Sequence, residues 1–245
     1  MTRPRSPSDP PGPANCPPVP TLASVGVVRR RLTPAVLTPD LSGISDAAHV
    51  ALTYDDGPDP ASTPHFLELL ARFQVRATFF VIGKHIADGG LLREMVAQGH
   101  EIGIHGWDHT PTVLRGPDRM GEEIARTRGL VESLTDASVR WYRPPYGWLT
   151  RRAVAGATAA GLHLVLWSAW GRDWRSAATA DSIEATVLKQ TRPGGTVLLH
   201  DSDRMSAPGS WTDTLTASYR LLDRWTSDGL AVGPLADHWV TGTAT

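Results

Sequence analysis

Val50-Ala51-Leu52-Thr53-Tyr54-Asp55-Asp56-Gly57-Pro58 is the stretch on which the reading of this chain turns. A short, mostly apolar strand-like run stops at two adjacent carboxylates, and a Gly-Pro turn follows. Side chains alternate across a strand, so the two acids are expected to occupy different environments. One is then free to bind a cation while the other accepts a proton. Asp before Gly is also an ordinary turn signal, and alone the pair would say no more. Four later strand-like runs end in the same way, at Asp, His or Arg.

Composition narrows the field around that stretch. With 245 residues, 41% of them hydrophobic, the chain is long enough for one barrel-sized domain with a large core. A net charge of -1 provides no basic footprint for nucleic acid and no polybasic membrane patch. The single cysteine, Cys16, excludes an internal disulfide and a Cys-rich metal site. Met1 to Pro20 has no apolar core of a secretory signal, and no segment is long enough to span a bilayer, so the default expectation is a cytoplasmic location.

Residues 1–20 read as a disordered, Pro-rich leader. Residues 21–48 form a lead-in whose Arg29-Arg30-Arg31 run is expected to be solvated. From His49 to about residue 240 strands and helices alternate, the pattern of a single parallel α/β domain. Ser62-Thr63-Pro64 opens a helix with a hydroxyl cap and an early proline. Asp118 and Thr150 are expected to cap two more, and Asp181 with Glu184 to form a capping box. The strand-like runs are Thr78 to Ile82, Glu101 to Ile104, Trp141-Tyr142, Leu162 to Trp167, Thr196 to Leu199 and Leu230 to Val232. Six or seven strand–helix units in about 195 residues imply a closed or nearly closed barrel, smaller than the eight-fold form of roughly 250. Right-handed crossovers put every strand's C-terminal end on one rim. Asp55, Asp56, His105, His109, Arg143, Asp173 and His200 all fall at or just beyond such ends, where parallel barrels build active sites.

His105-Gly106-Trp107-Asp108-His109 sets two imidazoles four apart, on one face if the segment coils. With Asp56 they make a two-histidine, one-carboxylate set that leaves positions on a Zn²⁺-like ion open for water and substrate. A Gly-Gly turn and four apolar residues aim His200 at the rim. His49, His65, His85, His100, His163 and His238 read as surface or satisfied core residues. Two prolines fix the backbone after Arg143, whose planar fork suits a carboxylate. Trp141 and Trp167 read as core, whereas Trp107, Trp148, Trp170 and Trp174 fall in loops, where an amphipathic ring suits a sugar face.

Taken in order, Thr53-Tyr54-Asp55-Asp56-Gly57, His105-Gly106-Trp107-Asp108-His109, Arg143-Pro144-Pro145-Tyr146, Asp173-Trp174 and Leu198-Leu199-His200 resemble the five motifs of the polysaccharide deacetylase family, metal-dependent carbohydrate esterases of family four. The resemblance implies a distorted (β/α) barrel of about seven units and removal of acetyl groups from N-acetylated glycans or amino sugars. It further implies a divalent ion, commonly Zn²⁺, on Asp56, His105 and His109. Asp55 would be the base that activates water, and His200 the acid that protonates the leaving amine. Arg143 would orient Asp55, Asp173 would orient His200, and the Tyr146 backbone N–H would face the oxyanion. Two positions depart from the pattern: Gly106 replaces a Ser or Thr that supports the histidine loop, and Trp170 replaces an acid. Two other functions fit the same residues. A non-haem Fe(II) oxygenase also uses two histidines and a carboxylate, and a non-catalytic glycan-binding module could use the rim tryptophans.

Overall fold

The computed structural model describes Val28–Arg29 and residues 40–239. The leader, Cys16 and most of the Arg29-Arg30-Arg31 run lie outside the described residues. In chain order the elements are β1 (Val28–Arg29), β2 (His49–Asp55), α1 (Thr63–Phe73), β3 (Thr78–Val81), α2 (Gly90–Ala97), β4 (Glu101–Ile104), α3 (Pro117–Thr135) and β5 (Trp141–Tyr142). They continue with β6 (Trp148–Leu149), α4 (Arg151–Ala159), β7 (His163–Leu164), β8 (Ala169–Trp170), α5 (Ala180–Gln190), β9 (Thr196–His200), α6 (Ser210–Ser227) and β10 (Ala231–Gly233).

The main sheet is parallel, in the order β7-β5-β4-β3-β2-β9-β8, with β10 pairing the start of β2. Its two outer strands are the two ends of one continuous stretch. That stretch pairs with β5 at His163–Leu164 and with β9 at Ala169–Trp170. The sheet therefore curls until its edges meet in a single segment, a distorted barrel with a seam at 165–168. Across the seam, Val165 N–H donates to Tyr142 O (3.1 Å) and Ser168 N–H to Thr196 O (2.9 Å). Leu166 N–H donates to Leu41 O (2.5 Å), and Leu41 is buried in the core. The lead-in thus contributes Leu41 beside the seam. It contributes again through β1, which pairs antiparallel with β6.

Alternation along β2 sorts its side chains. Val50, Leu52 and Tyr54 join the large core between sheet and helices, whereas Ala51 joins Phe80, Trp141, Val165 and Leu235 in a separate small cluster. Thr53 and Asp55 follow Ala51 in the period of two. A Cβ at Gly103 would collide with the Phe80 ring, so the glycine gives that ring its space. The ring in turn lies 4.0 Å beneath the Arg143 guanidinium.

Thr150 caps α4 as expected, accepting from Ala153 N–H at 3.2 Å, but three other helix starts differ from the sequence expectation. Ser62 precedes α1 without a capping bond, and its hydroxyl donates instead to Asp201 O (2.5 Å). Gly116, not Asp118, is the N-cap of α3, with Pro117 in the first turn. On α5 the capping box is Thr179 with Ser182 rather than Asp181 with Glu184.

Replacing Leu41 by Ala should lower stability by about 2–3 kcal/mol through lost burial and a residual cavity. For a domain of this size that corresponds to a fall of roughly 5–10 °C in Tm, read by circular dichroism. An unchanged Tm would show that the seam closes without Leu41.

Candidate active site

At the end of β2 the two carboxylates do not part as alternation predicts. Asp56 takes a left-handed backbone conformation, φ 79°, which swings its side chain back toward the rim. Both acids are buried and share one environment: His105 Nε2 lies 3.6 Å from Asp55 Oδ2 and 3.5 Å from Asp56 Oδ1. Nor does the histidine segment coil. Residues 105–109 form an irregular loop after β4, with left-handed turns at Gly106 (φ 91°) and His109 (φ 61°). These turns, not helical spacing, set His109 Nε2 3.3 Å from Asp56 Oδ1.

His105 Nδ1 donates to the Arg143 carbonyl at 2.8 Å, which leaves the Nε2 lone pair facing Asp56. Burial lowers the pKa of His105 to about 3, and burial followed by the neighbouring His105 lowers that of His109. Both rings are therefore neutral, the form that binds metals. One ligand atom each from Asp56, His105 and His109 lies within 4.8 Å of the others, and buried Asp56 Oδ1 has no hydrogen-bond donor. Lone pairs that converge without a donor fit a cation. Tetrahedral bonds of about 2.0–2.1 Å place neighbouring ligand atoms roughly 3.3–3.4 Å apart, close to the spacings seen. The N₂O donor set suits a divalent transition metal.

Two braced groups flank this trio. On one side, Arg143 Nη1 donates to Asp55 Oδ1 (2.7 Å) and Thr53 Oγ1 (2.8 Å), and Nη2 donates to Leu166 O (2.8 Å). Burial raises the Asp55 pKa, against the downward pull of Arg143 and His200. On the other side, His200 Nδ1 meets Asp173 Oδ1 at 2.9 Å, while His200 N–H and the Thr214 hydroxyl both donate to Asp173 Oδ2. Burial works to lower the His200 pKa, but Asp173, then Asp56 and Asp55, outweigh it and push it up to about 10. His200 Nε2 stands 3.9 Å from Asp56 Oδ2.

A cavity opens over these groups, walled by Trp167, Trp170 and Trp174 on the His200 side, by Tyr146 and Gly147, and by Leu198 and Met205. Tyr146 also has a left-handed backbone (φ 58°), and its ring packs 4.4 Å from that of His109. Four placements differ from the sequence reading. Trp107 does not line the cavity: its ring lies against Gly83 and beneath Arg126 (3.5 Å). Trp148 is also outside it, in β6 beside β1. Trp167, 5% exposed, is core and cavity wall together. His85, read as a residue without a role, has its Nδ1 2.8 Å from the Asp56 carbonyl; nothing local in the sequence marks that contact. Where Gly106 lacks a hydroxyl, the loop is held from outside. Gly83 N–H donates to Gly106 O (3.0 Å), and Arg115 pairs with Asp108.

The polysaccharide deacetylase family profile matches residues 43–165. A chitooligosaccharide deacetylase of a Bradyrhizobium species is 39% identical over 172 residues, 69% of this chain and 78% of that protein. This chain belongs to the polysaccharide deacetylase family. Among solved structures, the Bc1960 peptidoglycan N-acetylglucosamine deacetylase superposes with a TM-score of 0.75 at 28% identity, over 84% of this chain and 94% of that one. BA3943 of Bacillus anthracis, a family-four pseudoenzyme, superposes at 0.71 with 24% identity, over 82% and 70% of the two chains. The fold is therefore compatible with and without activity, and the residues at the rim have to decide. Among the described residues no helix is long and apolar enough to cross a membrane.

Saturating Zn²⁺ should raise the Tm of metal-free protein by roughly 5–10 °C, the equivalent of about 2.7 kcal/mol at a hundredfold excess over Kd. His105→Ala should abolish the rise. Burial raises the Asp56 pKa to about 7, so protons compete with the cation below that pH and the rise should shrink as pH falls. A rise that survives in His105→Ala would place the ion elsewhere.

Proposed function

We propose that this chain is a metal-dependent hydrolase that removes the acetyl group from N-acetylated sugars of the chitooligosaccharide or peptidoglycan type. The observation that carries the reading is the placement of one braced base and one braced acid on either side of a cation-fitting trio. Asp56, His105 and His109 would hold the ion, and Zn²⁺ suits their donor set best. When bound, such an ion supplies Lewis acidity to the attacking water and the acyl oxygen.

The chain's own residues supply the rest. Asp55, fixed by Arg143, takes the proton from the water that attacks the acyl carbon. Tyr146, at the cavity wall, offers its backbone N–H to the oxygen that gains charge, a contribution of order 3–4 kcal/mol for such donors. His200, kept protonated by Asp173, delivers its proton to the nitrogen as the C–N bond breaks, giving acetate and a free amine. Trp170 and Trp174, with ring centroids 4.9 Å apart, present aromatic faces to the sugar. An oxygenase needs neither an Arg-held base nor an Asp-held acid, and family membership speaks against it. A binding module without catalysis would not need the base and acid intact.

Metal-loaded protein should release acetate from N-acetylglucosamine oligomers or from peptidoglycan, and Asp55→Asn should slow this roughly 10²–10⁴-fold. Silence of the wild type on both substrates, with metal bound, would sink the reading. A further expectation concerns pH. Asp173 raises the His200 pKa, so Asp173→Asn should lower it, and the proton is then lost at lower pH. The alkaline limb of kcat/KM should move toward neutrality; an unmoved limb would remove His200 as the acid.

A further inference from the structure

The carboxylate of Asp56 reaches its position only because the residue adopts φ 79°. That region is costly for a side chain with a Cβ and persists where surrounding bonds enforce it. Gly83–His85, a single turn of 3-10 helix after β3, supplies such bonds in two directions. Its backbone holds the histidine loop: Gly83 N–H donates to Gly106 O (3.0 Å) and Lys84 N–H to Trp107 O (2.8 Å). Its side chain holds the other ligand, with His85 Nδ1 2.8 Å from Asp56 O. A carbonyl can only accept, so Nδ1 carries the proton. Just before the turn, Ile82 N–H donates to Gly57 O (2.9 Å).

The opposite side of the Asp56-Gly57 peptide is closed as well. The Asp201 carboxylate lies against Gly57, where a Cβ would collide with it. Thr63 Oγ1 donates to Asp201 Oδ2 and Ser62 Oγ to Asp201 O, each at 2.5 Å. With Gly57 backed by this buried group, the strained turn is held from the β3 side at two carbonyls, that of Gly57 by Ile82 N–H and that of Asp56 by the His85 ring, and only the second bond is made by a side chain.

We infer that His85 is a positioning residue, whose Nδ1–H bond to the Asp56 carbonyl holds that carboxylate at ligand distance from His105 and His109. The Gly83–His85 turn is then a gauge block between the two halves of the site, fixing the spacing between the β2 carboxylate and the loop after β4. The inference rests on the reading that these three residues bind a cation.

The test compares His85→Ala, His85→Gln and His85→Asn by competitive Zn²⁺ titration of metal-free protein, alongside Tm and steady-state kinetics. An Asn amide places an N–H near the position of Nδ1, and Gln places it farther out. Ala and Gln should weaken Zn²⁺ binding about 10–100-fold, the usual cost of losing support behind a ligand, while Asn stays within about three-fold of wild type. The Tm of all three metal-free proteins should remain close to wild type, and kcat at saturating Zn²⁺ should fall more than KM rises for Ala and Gln. Wild-type Zn²⁺ affinity in His85→Ala, or an equal loss in His85→Asn, would overturn the inference alone. Unchanged affinity in Asp56→Asn would overturn the metal reading and this inference together.

Discussion

Two carboxylates on consecutive residues, both out of water, are the constraint around which this site is built. Burial of an unpaired carboxylate is costly, and like charges a few ångströms apart resist ionising together. The fold answers each acid differently. Asp55 is met by Arg143, a group that stays charged wherever it is placed and that reaches it from inside the barrel. Asp56 has neutral imidazoles and no donor on its inward oxygen. Around this position the buried carboxylates Asp55, Asp56, Asp173 and Asp201 outnumber the cationic Arg143 and His200. Under the proposed function a divalent ion would offset that excess, which is what developing negative charge on an acyl oxygen requires.

The extent to which this was legible in the sequence follows from how local each cause is. Strand ends, the shared rim and the identities of Asp56, His105 and His109 rest on hydrophobic runs and their stops, and those are local. The environment shared by Asp55 and Asp56 is not, because it turns on one dihedral at Asp56 that the strand period does not contain. The hydroxyls of Ser62 and Thr63 look like capping groups, but both are taken by Asp201, more than a hundred residues away. Trp107 and Trp174 both occupy loops beside motif residues, yet only the second faces the cavity, since a loop gives no period from which to infer direction. His85 reads as a surface or core residue in the sequence because its partner is a backbone carbonyl 29 residues earlier.

The seam at 165–168 has consequences beyond closing the barrel. The segment that bridges β5 and β9 must pass close to the rim, and it leaves β8 short. Trp167 and Trp170 are carried to the cavity by that path and meet Trp174 from the loop beyond β8. Trp167 is 5.7 Å from Trp170 between ring centroids. A wall of three indoles is therefore a result of topology as well as composition.

That wall shapes the surroundings of His200. Where the family resemblance implies a second acid, Trp170 provides apolar surface. A second carboxylate would have added negative charge near His200, and its removal leaves Asp173 as the acid that anchors the ring. An ion pair gains strength as its surroundings lose polarity, and Trp174 packs edge-on to His200 at 5.8 Å. The His200–Asp173 pair is thus isolated on its aromatic side and open on the side of Asp56. Under the proposed function, a proton donor in that setting would be held until negative charge or a basic nitrogen appeared on the open side, toward Asp56, where the amide nitrogen of an N-acetylated sugar would lie.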